Sequence, residues 1–410
     1  MLKENLNIKN VINYIPVLGN VILLSFSIFY INKFRDLWYI VPATFLLEFI
    51  YNERWKDFNW NEKKIYYIVI ILFFSFYFIY FPFEENLNYH YLLLRNRTAL
   101  LGLAIVGFLG INSTYHKLSI YLHTFIITSL VIILYLIFIK IGFYSFITSQ
   151  DKTTLFMMTR ITWVNSHMMF NLYLNISLLC IWYILSNKHQ SMLKNSFYGI
   201  CYLLFFYILS ISEGRSGFFM SLLITGCILF IEIYKRNRLI AILCSIFFIA
   251  LSVQKIVFHP RTSTKIETEP RIFLWKNAFS IIKEKPILGW GANSAQSEFT
   301  KRIWQDTTGT VQAFWQPTDF VDSHNQFIQA TMEFGIIGFL VLLFIYIAPY
   351  LLVNKQRKIL CLLIFVVLTF QSVFDMFITG QFASLFMMIT FMLFMTKEDT
   401  VTLKPLKSNK

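Results

Sequence analysis

The chain has 410 residues, 57% of them hydrophobic and 14% charged, with a mean hydropathy of +0.58. Soluble proteins carry about a quarter charged residues and break their apolar positions at helix or strand period, so this composition excludes an ordinary soluble enzyme. The net charge of +14 gathers in loops between apolar blocks, which points to membrane topology and away from a nucleic-acid partner.

Taken in order, apolar runs are expected as spans near residues 11–31, 37–51, 65–83, 95–112, 118–147, 167–186, 196–213, 217–234, 239–258, 326–353, 358–378 and 381–396. Most approach the roughly twenty residues that a helix needs to cross a bilayer core. The fold class predicted is an all-α integral membrane protein. It has about twelve transmembrane helices and one large periplasmic loop, between spans nine and ten, containing an amphipathic helix. Residues 1–258 form a bundle of about nine spans, 259–325 the loop, 326–396 the last three spans and 397–410 a cytoplasmic tail. Lys3 precedes the first run, but no small-residue cleavage site follows, so an uncleaved first span is expected and not a signal peptide. Cys180, Cys201, Cys227, Cys244 and Cys361 lie inside apolar runs without metal-ligand spacing and read as packing residues.

Lys and Arg sort by side. Arg54, Lys56, Lys63, Lys64, Lys235, Arg236, Arg238, Lys355, Arg357 and Lys358 share one set of loops with the lysines of both termini. The short loops opposite hold Lys33, Arg35, Lys152, Arg160 and Arg215. The positive-inside rule then puts both termini in the cytoplasm and the long interval in the periplasm.

Several charged residues stand at the apolar runs. Glu48 lies within the second and is expected to be paired or to snorkel near a helix end. Arg95 and Arg97 either snorkel to lipid phosphate or line a substrate path. Arg160 and His167 flank the sixth run. Between the seventh and eighth runs, SEGRSG brings Arg215 to the end of two packed helices, with Gly214 and Gly217 permitting close approach and Ser216 able to cap the next helix. A guanidinium beside a helix N-terminus is an anion site in waiting. Asp375, near the end of the eleventh run, is a candidate partner for one of these arginines or a purely structural ion-pair residue.

The long polar interval, His259 to Gly338, is too large for an ordinary connection and too rich in Trp, Phe and Ile for disorder. Pro270 and Pro286 bracket a helix over 270–285, with Ile272, Trp275, Phe279 and Ile282 at helical spacing and Arg271 at its positive end. Such a helix lies on the bilayer or covers the spans beneath it. ILGWGANS reads as a glycine-containing turn. Asp322-Ser323-His324-Asn325 stands directly before an apolar run, where His324 is a candidate general base.

GRSG after a span, PR followed by KPILGWG, and SHNQFIQATMEFGIIGFL after a long loop resemble the O-antigen ligase and polymerase superfamily, over about Arg160 to Phe339. The resemblance implies a metal-independent, cofactor-free, inverting glycosyltransferase of the bacterial inner membrane, working on its periplasmic face. The implied donor is an undecaprenyl-pyrophosphate-linked glycan. The implied acceptor is lipid A–core for the ligase branch, which the DSHNQFIQATMEFG segment favours, or a second lipid-linked repeat unit for the polymerase branch. Carried over by position, Arg215, Arg271 and Arg160 bind pyrophosphate, and His324 and Arg215 are catalytic. An exporter of lipid-linked glycans is disfavoured, because transport would place charges along a path through several spans.

Overall fold

The computed structural model describes residues 8–28, 35–83, 87–111, 114–152, 154, 167–187, 191–212, 215–246, 270–305, 321–378 and 382–397. No strand occurs among them; an isolated bridge joins Lys117 and Lys397. The principal helices are α1 (Ile8–Phe26), α2 (Ile40–Tyr51), α3 (Glu62–Tyr80), α4 (Leu87–Leu109), α5 (Leu118–Leu134) and α6 (His167–Asn187). After them come α7 (Met192–Ile211), α8 (Arg215–Tyr234), α9 (Pro270–Glu284), α10 (Ala292–Trp304), α11 (Gln326–Leu352), α12 (Lys358–Phe374) and α13 (Phe382–Phe394).

Among the described residues, eight helices are long and apolar enough to cross a membrane: α1, α3, α5 with its continuation to Ile141, α6, α7, α8, α11 and α12. The protein is a multi-pass membrane protein. Four of the twelve apolar blocks are not among these eight. Helices α2 and α13 have 12 and 13 residues, about 20 Å at 1.5 Å per residue, short of a core about 30 Å thick. Every residue of α13 from Ala383 to Phe394 is buried, so its all-round hydrophobicity serves protein packing and not lipid contact. In α4 the apolar stretch among the described residues is Arg97–Leu109. Most of the run at 239–258 lies outside the described residues.

Helix α6 sits at the centre, almost wholly buried, against α5, α7, α8 and α12. Two of its polar side chains bond inside the bundle: Ser177 pairs with Ser129 of α5 at 2.8 Å, and Asn175 Nδ2 donates to the Gly217 carbonyl at 3.0 Å. Helices α9 and α10 form a second, smaller core at one end of the bundle. Leu274, Ala278 and Ile281 of α9 meet Ala295, Phe299 and Ile303 of α10, together with Val321, Ile328 and Met332. Arg302 clamps the pair through Glu284 and Glu298, each at 2.8 Å.

Helix α11 belongs to both cores. Ile328 and Met332 face the loop unit, while Ala330 and Phe334 face the bundle. The helix is broken at Gly335 (φ 64°, ψ −159°). The turn Pro286–Gly291 fills the break: the amides of Trp290 and Gly291 donate to the carbonyls of Met332 and Glu333 at 3.0 and 2.9 Å, and Ile336 N–H donates to the Pro286 carbonyl at 2.8 Å. The backbone groups freed by the break are thereby paired, as a buried interruption requires. Both glycines are obligatory here. A Cβ on Gly289 would lie 2.5 Å from the Glu333 carbonyl oxygen and one on Gly335 2.1 Å from that of Ile287, at φ values of +75° and +64°.

Candidate functional site

The turn before α11 sets His324. Asn325 caps the helix, its Oδ1 accepting from the amides of Phe327 (2.9 Å) and Ile328 (3.0 Å). Asp322 Oδ1 accepts the His324 amide at 2.7 Å, and Ser323 Oγ donates to the Asn325 carbonyl at 3.0 Å. Neighbouring elements lock the turn from outside. Trp275 of α9 donates to the Ser323 carbonyl (3.0 Å), Gln296 of α10 donates to that of Val321 (2.7 Å), and Gln326 Oε1 accepts the Ile378 amide (2.9 Å). So held, His324 takes φ +45°, a left-handed conformation uncommon for a side-chain-bearing residue and frequent at functional sites.

The imidazole lies between two carboxylates. Nδ1 is 3.4 Å from Asp322 Oδ1 and 4.0 Å from Asp375 Oδ1, the latter just past the end of α12. Asp375, a candidate partner for an arginine, faces the histidine, and Gln326 ties its loop to the start of α11. Burial pulls the His324 imidazole toward its neutral form, but the Asp375 and Asp322 carboxylates outweigh it and raise the pKa above the ordinary value. The Arg271 guanidinium works in the other direction. Burial also raises the Asp322 carboxyl, helped by Asp375 and opposed by His324. With Nδ1 turned to the carboxylates, proton exchange with a ligand falls to Nε2, the arrangement that suits a general base. Among the described residues no three His, Cys, Asp or Glu side chains are grouped to hold a metal ion.

Arg271, the second residue of α9, lies with its guanidinium carbon 5.8 Å from the Phe374 ring, next to Asp375, so it converges with His324. Arg215 opens α8, and its side chain lies outside the described residues. The helix it begins is directed to the same corner: Phe219, one turn on, stacks with Phe370 of α12 (5.8 Å), which in turn meets Phe374 (5.0 Å). Since α8 starts at Arg215, Ser216 is inside the first turn and not a cap before it. Gly217 is needed for packing, because a Cβ there would lie 2.4 Å from Asn171 Nδ2 of α6. Arg160 lies outside the described residues.

Residues 200–343, which hold α8, both loop helices, His324 and the break in α11, match the O-antigen ligase family. Over that stretch the chain is similar to the O-antigen ligase family. Two proteins, of Rickettsia conorii and Rickettsia felis, each named "Putative polysaccharide ligase", are 30% and 29% identical over 154 residues. Those alignments span 35% of this chain and 36% of each relative's length.

The matched stretch reaches outside itself through a contact that sequence reading missed. Glu333, nine residues after His324 on α11, is buried and accepts from Arg97 of α4 (3.1 Å), Tyr77 of α3 (2.9 Å) and Gln329 (3.0 Å). The Arg97 guanidinium also stacks on the Tyr77 ring, 4.3 Å from its centroid. Arg97 therefore neither snorkels to lipid nor faces a substrate path; it is the internal counter-ion of Glu333. The EFG segment thus has two tasks, a buried charge and the glycine that breaks the helix. A carboxylate inside an apolar run is the signal that would have found it. Helix α10 was missed as well, although Ala295, Phe299 and Ile303 recur every fourth residue. On α9 the buried stripe is Leu274, Ala278 and Ile281, and Ile272 and Phe279 are exposed, so the apolar face read from spacing was turned by part of the helix circumference.

Proposed function

We propose that the protein is an inverting glycosyltransferase. It ligates a glycan carried on undecaprenyl pyrophosphate to the lipid A–core of lipopolysaccharide, without metal or cofactor, in the bacterial inner membrane. In this reading both termini are cytoplasmic, and the corner built by α8, α9 and α11 faces the periplasm. The observation that carries it is an imidazole oriented by two carboxylates, within reach of the Arg271 charge, inside the stretch that matches the O-antigen ligase family.

His324 Nε2 takes the proton of an acceptor hydroxyl as its oxygen attacks the anomeric carbon of the donor sugar. The bond to pyrophosphate breaks on the opposite face, its electron pair leaves with the phosphate oxygen, and the configuration inverts. Arg215, Arg271 and Arg160 meet the charge that develops on the leaving group, as fixed guanidiniums do well outside bulk water. The donor is already activated, so no nucleotide is consumed.

Deletion followed by lipopolysaccharide electrophoresis tests the reading. A ligase defect leaves bare lipid A–core while long lipid-linked glycan accumulates. Core capped by a single repeat would identify a polymerase, and unchanged banding would end both readings. With the chain restored, His324→Ala is expected to slow transfer by roughly 10²–10⁴-fold and Arg215→Ala by roughly 10²–10³-fold, with normal membrane insertion.

A further inference from the structure

The face of α9 turned away from the loop core is exposed and mixed. Ile272, Lys276, Phe279 and Lys283 follow one another along it at spacings of three and four, and Lys285, Ile287 and Leu288 continue it into the turn. Ile287 and Leu288 are 63% and 61% exposed, high for large aliphatic side chains on a folded turn. Their position is set by the spans. The Tyr80 hydroxyl at the end of α3 donates to the Leu288 carbonyl, and Ile336 of α11 donates to that of Pro286. The same stretches of those two spans present exposed Phe78 and Ile79 on α3, and Ile337 and Leu340 on α11. In a multi-pass membrane protein that surface contacts lipid, and the Ile287–Leu288 turn extends it without a break.

We infer that this turn and the outward stripe of α9 are seated in the bilayer interface against anionic phospholipid. The aliphatic and aromatic side chains enter the acyl boundary, and Lys276, Lys283 and Lys285 meet the headgroup phosphates. Alternation of large apolar residues with lysine on one exposed face is what an interfacial helix requires, since lysine stems lie along apolar surface while the ammonium reaches the phosphate. Lys285 is already directed, its Nζ lying 3.9 Å from the Trp290 ring centroid. Membrane seating of the α9 face holds α9, and with it Arg271, at the depth where a lipid pyrophosphate emerges. The seating itself does not depend on the transfer reaction.

The test uses the full chain in nanodiscs with a photo-reactive benzoylphenylalanine in place of Phe279 or Leu288. Ile79 is the lipid-facing control and Ser297, on the exposed side of α10, the aqueous one. Lipid adducts are read by mass spectrometry. Adduct yields at 279 and 288 are expected to match the Ile79 control and to exceed the Ser297 control. Yields equal to the Ser297 control, or crosslinks within the protein's own chain in place of lipid, overturn the seating. In mixed phosphatidylglycerol and phosphatidylcholine the anionic lipid is expected to be preferred by about fivefold for each lysine engaged. The combined Lys276→Glu, Lys283→Glu and Lys285→Glu variant is expected to lose that preference, and its persistence overturns the anionic partner.

Discussion

His324 occupies a backbone conformation that costs on the order of 1–2 kcal/mol for an L-residue, offset by the Asp322, Trp275 and Asn325 hydrogen bonds around it. Its titration is a property of its neighbours. A histidine whose pKa is raised on folding adds stability that is fully present below its unfolded pKa, and that stability is lost as pH rises through the folded pKa. Catalysis runs the other way, since a general base works only when neutral. Transfer is therefore expected to rise with pH along an acidic limb set by His324. Asp375→Asn removes a carboxylate that raises the imidazole, so the limb should move to lower pH. Arg271→Gln removes a charge that lowers it, so the limb of the residual activity should move to higher pH. Glycan transfer measured against pH for both variants checks this. Shifts in the same direction for both would show that the two charges do not act on one histidine.

At the scale of elements, α11 is two helices in series. Its first nine residues are shared between the loop core and the bundle, and the break at Gly335 lets them take their own direction. Two devices hold that first half in place. One is the backbone pairing of Pro286–Gly291 into the break, and the other is the Arg97–Glu333 ion pair against α4, with Tyr77 completing it. Removing one partner strands the other charge in a buried site. Arg97→Ala is accordingly expected to cost about 3–5 kcal/mol, whereas joint replacement of Arg97 and Glu333 by apolar residues of similar volume should cost much less. Unfolding of the detergent-solubilised protein measures both. A wild-type midpoint for Arg97→Ala would remove the ion pair from any structural role.

The molecule as a whole presents one end where α9, α10, the starts of α8 and α11 and the end of α12 meet. The proposed orientation makes that end periplasmic. In a cysteine-free background, Ser297→Cys is expected to react with a membrane-impermeant maleimide added to intact spheroplasts and Lys56→Cys only after lysis. The reverse pattern would invert the topology and place the site in the cytoplasm.

The apolar blocks by themselves determined that the chain is helical and lies in a membrane, since in hydrocarbon the backbone must satisfy its own hydrogen bonds. They did not determine which blocks cross. Composition cannot separate a helix buried in protein, such as α13, from one buried in lipid. Local chemistry likewise made His324 and Arg271 visible as candidates, because a histidine before an apolar run and an arginine at a helix start are legible at short range. Tertiary structure alone decided what surrounds them. Asp375 lies 51 residues from His324, at 4.0 Å from its imidazole, and Arg97 lies 236 residues from Glu333. Such contacts arise from how the helices stack, and neither spacing nor periodicity carries that information. The long polar interval, read as a loop with one helix over 270–285, holds among its described residues a second helix, α10, and a turn that fills a broken span. Only the break and its filling turn explain why its glycines stand at 289 and 335.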